Sequence, residues 1–230
     1  TPLYDDAKVR LELTLSGAAE AKVDVMAAGR RVASGVFQEG VCTISIPDVH
    51  PWSPEDPFLY DLRVTAGEDL VTSYFAMRKF GTTVLGGKPV CTLNNRPFFM
   101  TGVLDQGYWS DGFYTPPSDE AMVYDIQTMK DYGFNTLRKH IKIEPLRWYY
   151  HCDRMGMVVW QDLVSGGGAF RPMTMQVLPF LGIHLKDTKG YHRFAREDEA
   201  GRDQFVEDLY GTVDLLYNSP CVGVWVPFNE

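Results

Sequence analysis

Apolar residues in the first third of the chain recur at every second position. Val9, Leu11, Leu13 and Leu15 alternate with polar side chains, and the same beat returns at Val23 and Val25, at Val32, at Cys42, Ile44 and Ile46, and at Tyr60, Leu62 and Val64. Successive side chains of a strand point to opposite faces, so this period predicts half-buried strands of an antiparallel sheet. Ser16-Gly17, Ala28-Gly29, Glu39-Gly40 and Ala66-Gly67 separate them as turns. About seven short strands in roughly 80 residues match the size and rhythm of an immunoglobulin-like β-sandwich, without the inter-sheet cysteine pair of antibody domains.

After Gly81 the period lengthens. An apolar stretch from Phe98 to Val103 supplies a first strand. Pro116-Pro117 and Ser118, a good N-cap, introduce Met122, Val123, Ile126 and Met129 at helical spacing, and Gly133 closes the helix. Asn135 to His140 is a short strand. Pro145 opens a second helix carrying Leu146, Tyr149, Cys152 and Met155, ended by Gly156. Met157 to Trp160 is a fully apolar strand. A Gly-rich connection from Ser165 to about Ala200 follows, long enough for a wall or lid over a site. Phe205, Val206, Leu209, Val213 and Leu216 then mark a third helix, and Cys221 to Phe228 a fourth strand.

Apolar strands alternating with helices predict a parallel sheet with covered faces. A doubly wound nucleotide fold wants a glycine-rich turn after its first strand, and Leu104-Asp105-Gln106-Gly107-Tyr108-Trp109 has no GxGxxG. A (β/α)8 barrel is favoured, although it needs eight strands and only four are legible. The expected architecture is therefore multidomain, β followed by α/β: an immunoglobulin-like sandwich over residues 1–84, then the first half of a TIM barrel over 85–230, strands 1 to 4. A half barrel leaves two strand edges unpaired. Either a second copy of the chain, as in a homo-oligomer, or a missing C-terminal half is expected to cover them. Thr1-Pro2 is not a natural start either, so the chain reads as a piece of something longer.

Composition changes this picture little. Hydrophobic residues make up 45% and charged residues 23% of 230 positions, which excludes disorder, collagen-like repeats and coiled coil as whole-chain descriptions. The net charge of −8, with basic residues in nothing denser than pairs such as Arg30-Arg31, argues against nucleic acid as a partner. No apolar run is long enough for a membrane span and no signal peptide opens the chain. Cys42, Cys91, Cys152 and Cys221 lie far apart with no CxxC, which fits buried thiols in a reducing compartment rather than a disulfide framework or a zinc site. A cytoplasmic location is the expectation, with no metal and no cofactor.

Functional residues of a (β/α)8 barrel sit at the carboxyl ends of its strands. That rule selects Asp105 and Gln106, then Arg138, Lys139 and His140, then Trp160, Gln161 and Asp162, and finally Asn229 and Glu230. Carboxylates, amides and indoles together suit sugar chemistry: acids protonate a glycosidic oxygen, aromatics stack on pyranose faces and amides grip hydroxyls. Each residue also has a plainer reading. Asp162 can be the salt-bridge partner of Arg138, because a guanidinium fork suits a carboxylate as well as a sugar. His140 can be a satisfied core histidine, Trp160 can simply pack, and Asp105 and Trp109 sit on a loop that need not touch substrate. Gly166-Gly167-Gly168 is no phosphate cradle, since no helix start and no lysine follow it. His151 beside Cys152 is no catalytic pair, because neighbours on a helix face different ways.

Several motifs resemble glycoside hydrolase family 2, in chain order from about residue 50 to the last. Trp52-Ser-Pro-Glu55-Asp-Pro57-Phe-Leu-Tyr60 is similar to the W-x-P-E-x-P-x-L-Y of that family's sandwich domain. Arg78-Lys79-Phe80-Gly81 stands at its junction, in altered order. Leu93-Asn94-Asn95-Arg96-Pro97 with Gly102 resembles the entry to its barrel, Gly133-Phe134-Asn135 with Arg138 its second strand, and Cys152-Asp153 with Gly156 a following C-D-x-x-G. Ser219-Pro220, Trp225, Pro227, Asn229 and Glu230 resemble its fourth strand.

The resemblance implies a retaining β-glycosidase acting on a carbohydrate substrate. Glu230 then takes the general acid/base role and Asn229 binds the sugar 2-hydroxyl. Asp162, Arg138, His140, Trp160 and Asp105 are the further candidates for substrate contact. Partial burial and a nearby carboxylate would keep Glu230 protonated for its first step. The nucleophile would be a second Glu about 5 to 5.5 Å away, on a seventh strand that this chain does not contain, so the chain alone is expected to be inactive. The galactosidase-like members place a histidine where Ile141 stands, with His140 one residue earlier. Trp160-Gln161-Asp162 is instead similar to the β-mannosidase branch, whose R-V-W-G-G-G is absent. The sugar stays open between galactoside, glucuronide, mannoside and others. The rivals are a non-catalytic carbohydrate-binding or scaffold protein of the same fold, and an unrelated barrel enzyme with Lys139 as its base.

Overall fold

A computed structural model describes residues 1–17, 20–169 and 171–228. Seven strands come first among them: β1 (Pro2–Leu3), β2 (Lys8–Glu12), β3 (Ala21–Ala27), β4 (Arg30–Val36), β5 (Val41–Ser45), β6 (Tyr60–Ala66) and β7 (Asp69–Phe75). They form a three-stranded sheet of order β1-β2-β5 and a four-stranded sheet of order β4-β3-β6-β7, antiparallel throughout. The two-residue period is realised as expected. Val23 and Val25 are buried while Lys22 and Asp24 between them face outward, and with Val9, Ile44, Ile46, Tyr60, Leu62 and Met77 they make one apolar core. The run beginning at Val9 was expected to extend to Leu15, but β2 stops at Glu12. Beyond it Leu13 N–H bonds the Gly40 carbonyl and Leu15 is exposed, so the alternation outlasts the ladder.

Three further strands, β8 (Phe80–Leu85), β9 (Lys88–Leu93) and β10 (Arg96–Pro97), form an antiparallel meander between sandwich and barrel. Gly86 and Gly87, both with positive φ, turn β8 into β9 between the paired residues Leu85 and Lys88. Sequence patterning places the first barrel strand from Phe98 to Val103. The strand observed is β11 (Gly102–Asp105), and Phe99 lies outside it, exposed. Met100 is occupied elsewhere, its sulfur accepting the Trp160 indole N–H at 2.9 Å.

From β11 onward strands and helices alternate: α1 (Asp119–Asp131), β12 (Thr136–Lys139), α2 (Leu146–Met155), β13 (Val158–Asp162), a single turn α3 (Leu178–Phe180), α4 (Glu199–Leu216) and β14 (Val222–Val226). The four strands pair in parallel in the order β11-β12-β13-β14. This is an open, partial (β/α)8 barrel behind an immunoglobulin-like sandwich. Local chemistry sets the helix limits. The Ser118 hydroxyl accepts the Ala121 N–H at 3.2 Å, the Asp198 carboxylate accepts the Gly201 N–H at 3.1 Å, and Gly156 ends α2 in the left-handed region. The Asp198 cap starts α4 six residues before Phe205, the first apolar residue of the expected helix. Met122 and Ile126 of α1, Trp148, Tyr149 and Cys152 of α2, Leu216 of α4 and Val158, Val159 and Val222 of the sheet bury together.

Trp52 and Ala76 of the sandwich belong to this second core. The Trp52 indole donates to the Asp153 carbonyl at 2.7 Å. The Asp153 carboxylate accepts the Tyr74 hydroxyl and the Cys221 N–H, each at 2.7 Å. Arg78 reaches past the junction to the carbonyls of Pro220 (3.0 Å) and Val222 (3.2 Å). Gly156 lies under Pro54, where a Cβ would stand 2.5 Å from the Pro54 oxygen. The sandwich is thereby locked onto α2 and the foot of β14.

Candidate active site

The four parallel strands end at Asp105, Lys139, Asp162 and Val226. Consecutive strand residues face opposite ways, so Arg138 and Lys139 serve two different faces. Lys139 is completely buried on the helix side, its ammonium 4.3 Å from the centre of the Trp148 ring on α2. Arg138 is opposite Leu104 and Trp160 in register, on the face turned away from the helices.

There Arg138 meets Asp162. Nε donates to Oδ1 at 2.9 Å and Nη2 to Oδ2 at 3.0 Å, a bidentate fork. Asp162 is wholly buried while a third of the Arg138 side chain is exposed, so one partner is anchored and the other looks outward. Of the sequence candidates, Arg138, Asp162 and Trp160 therefore come together on one face. This arrangement sets a fixed cation beside an indole on the face of the sheet turned away from the helices.

Asp105 faces the other way. Its carboxylate bonds the Lys139 ammonium at 2.7 Å and the Gly107 N–H at 2.9 Å. His140 continues the ladder through its N–H to the Asp105 carbonyl, with its Nδ1 3.4 Å from the Gln106 amide, and is half-buried between the two groups. Asn229 and Glu230 lie outside the described residues.

Sequence reasoning missed the larger feature here. Lys139, Lys142 and Glu144 are all buried. Glu144 Oε1 sits 2.9 Å from both ammonium groups, and Lys142 also bonds the Gly107 carbonyl. Buried charges persist only when paired, and two cations here face two carboxylates, Asp105 and Glu144. Gln161, next to Lys139 in register, ties the cluster down: it accepts from the Tyr149 hydroxyl at 2.6 Å and donates to the Lys142 carbonyl at 2.8 Å. Glu144 Oε2 and Trp109 Nε1 are buried and have no hydrogen-bond partner among the described residues. The available signal was Lys139-His-Ile-Lys142-Ile-Glu144, where charges interleave with apolar residues beyond a strand end. No group of three or more potential metal ligands occurs among the described residues.

The family model for glycosyl hydrolases family 2 matches residues 3–81, and that for the TIM barrel domain of the same family matches residues 87–230. The chain belongs to glycosyl hydrolase family 2. A β-galactosidase of Leuconostoc mesenteroides is 29% identical over 98% of this chain and 20% of its own length. A β-galactosidase of Enterobacter cloacae is 31% identical over 67% of this chain and 17% of its own length. The chain thus spans about a fifth of the length of these curated relatives. A β-glucuronidase of Ruminococcus gnavus superposes with a TM-score of 0.77 over 97% of this chain and 36% of that one at 18% identity, a likeness of fold.

Proposed function

We propose that this chain forms the sandwich and the first four barrel strands of a retaining β-glycosidase, with Glu230 as general acid/base. The match of the family's TIM barrel domain from residue 87 to residue 230 carries this reading, because it runs through the Asn229-Glu230 pair. Glu230 protonates the glycosidic oxygen, then deprotonates the water that releases the sugar from a second carboxylate. Asn229 binds the 2-hydroxyl. Arg138, fixed by Asp162, and Trp160 line the sugar's approach on the open face of the sheet. The second carboxylate comes from outside these 230 residues, so the chain by itself turns over no substrate. The relatives' names point to a β-galactoside or a β-glucuronide.

The test is hydrolysis of a panel of aryl β-glycosides by the full-length protein and its Glu230→Gln variant. Loss of an acid catalyst hurts most where the leaving group needs protonation. The variant is expected to lose kcat/KM for glycosides with poor leaving groups by about 100-fold or more, and far less of it with dinitrophenyl glycosides, whose kcat still falls because the same residue is the base of the second step. Equal turnover of a poor-leaving-group substrate by both proteins refutes the assignment.

A further inference from the structure

β14, the strand that precedes Asn229 and Glu230, carries an extra residue. Val159 of β13 pairs with Val222, but the next residue, Trp160, pairs with Val224, so Gly223 has no counterpart in β13. Bulges are rare in parallel pairs and gather beside active sites, because one added residue turns every later side chain of its strand to the other face. Beyond Gly223, Val224 stands beside Trp160 and Val226 beside Asp162 on the open face, while Trp225 stands beside Gln161 on the face of the buried charge cluster. In an unbulged register Gly223 and Trp225 would take the two places on the open face.

The bulge is held from the sandwich side of the chain. The Cys221 carbonyl accepts the Val159 N–H at 2.8 Å. Consecutive carbonyls of a strand point in opposite directions, so those of Pro220 and Val222 turn away from β13. Arg78 takes both, through Nε at 3.0 Å and Nη2 at 3.2 Å. Between them the Cys221 N–H goes to the Asp153 carboxylate at 2.7 Å. Three backbone groups just below the bulge are therefore held by side chains from outside the sheet. Gly223 itself lies against Phe80, where a Cβ would stand 2.9 Å from the ring. Phe80 is fixed in turn: the Arg78 guanidinium carbon lies 5.1 Å from its ring centre, and Trp52 meets it edge to face with ring centres 6.4 Å apart. Arg78 lies in the connection from β7 to β8, and Phe80 is the first residue of β8. A planar guanidinium fixes two carbonyls at a set spacing, which a lysine ammonium cannot do.

We infer that Arg78 is a positioning residue for the acid catalyst: with Phe80 against Gly223 it fixes the bulge of β14, and the bulge sets how that strand delivers Asn229 and Glu230 to the sugar. The inference rests on the glycosidase reading for the role of Glu230. It extends that reading by giving the junction between sandwich and barrel control over the geometry of a reaction it does not touch.

The test uses the full-length protein with the phenyl and 2,4-dinitrophenyl β-glycosides of galactose and of glucuronic acid. Phenol needs a proton as it leaves and dinitrophenolate needs none. Arg78→Lys keeps the charge but cannot hold both carbonyls, and Gly223→Ala pushes the bulge off Phe80. Each is expected to lose about 10- to 100-fold in kcat/KM on the phenyl glycoside, the cost of a catalytic group displaced by about 1 Å, and less than about threefold on the dinitrophenyl glycoside. Phe80→Leu added to Gly223→Ala makes room for the methyl group and should recover most of the loss. A purely structural role lowers kcat/KM for both glycosides alike. Equal losses on the two, or no loss in either folded variant, overturn the inference. Hydrogen–deuterium exchange on the same samples reads the grip without the chemistry. Residues 219–226 should exchange about tenfold faster in Arg78→Lys, the worth of one charged hydrogen bond, and residues 134–140 at the wild-type rate. The two readings fail separately. If the protein hydrolyses none of the four glycosides, or Glu230→Gln loses no more on the phenyl than on the dinitrophenyl glycoside, while residues 219–226 still loosen in Arg78→Lys, the role of Glu230 falls and the grip on β14 stands. If Glu230→Gln shows the split between leaving groups and Arg78→Lys does not, the acid stands and Arg78 loses its positioning role.

Discussion

The Tyr74 hydroxyl on β7 of the sandwich donates to the Asp153 carboxylate on α2 of the barrel at 2.7 Å, and the Cys221 N–H takes the other carboxylate oxygen at the same distance. One buried carboxylate therefore ties together three elements: the last sandwich strand, the second barrel helix and the foot of the fourth barrel strand. Burial pushes the Asp153 carboxyl up to about 6, against the hydrogen bonds and the Arg78 charge that pull it down.

The first prediction concerns pH. A carboxyl whose folded value lies above its unfolded value of about 3.9 binds protons more readily in the folded state. Its favourable contribution is complete below that unfolded value and is lost as pH rises through about 6. Raising the pH from 5 to 7.5 should therefore cost the wild type on the order of 1 kcal/mol through this group. Asp153→Asn does not titrate. Its Tm should differ less between the two pH values than that of the wild type, by calorimetry. Parallel shifts in the two proteins would remove Asp153 from the account.

A second prediction isolates the hydroxyl. Tyr74→Phe keeps the ring and leaves a buried carboxylate oxygen without its donor, at a cost of about 1–3 kcal/mol by urea denaturation. In the Asp153→Asn background the same change should cost less, because the two residues form one network, with a coupling of about 0.5–3 kcal/mol. Additive losses in the double variant would mean that the hydroxyl acts elsewhere.

The joint also shows where reading the sequence stops. Trp52 with its prolines and Cys152-Asp153 with Gly156 were each recognisable as motifs, one in either half of the chain. Nothing in their spacing announced that they touch. Their meaning is the contact itself: indole to carbonyl, carboxylate to hydroxyl, and a glycine under Pro54. Strands and helices were legible because burying one face imposes a period of two or about 3.6 on the residues concerned. The β8–β10 meander was not, because β8 is mostly exposed and β10 is only two residues long, so no apolar beat marks them. At the site, strand ends gave Arg138, Asp162 and Trp160 together. Asp105 is committed instead to a buried cluster in which Lys142 and Glu144 went unread, since charged residues beyond a strand end look like solvent-facing loop until partners across the fold are known.

Gly156 yields a third prediction. It closes α2 at φ +73°, and a Cβ would lie 2.5 Å from the Pro54 oxygen. Gly156→Ala combines backbone strain with a clash against main chain that cannot swing away. A loss of about 2–3 kcal/mol is expected, read as a lower urea midpoint. Gly67→Ala is the control, since Gly67 has a similar φ of +62° with open space around it. It should cost about 1 kcal/mol, the strain alone. Equal losses at the two positions would show that the sandwich does not press on α2.

The Arg138–Asp162 fork supports the last prediction. Asp162 is buried and charged, and its two oxygens each take one guanidinium hydrogen bond. Removing Arg138 strands that charge, so Arg138→Ala should destabilise the chain by about 3–5 kcal/mol. Arg138→Lys restores a charge but cannot make two parallel bonds, and should recover only part of the loss. Replacing both partners, Arg138→Met with Asp162→Leu, removes the stranded charge along with the fork and should cost less than Arg138→Ala alone. Because Arg138 also faces the open side of the sheet, the double variant is expected to be stable yet to bind a β-glycoside probe more weakly than wild type. Calorimetry and probe titration on the same samples separate the two effects. A double variant less stable than Arg138→Ala would mean that the fork holds the strand ends together by more than the burial of one carboxylate.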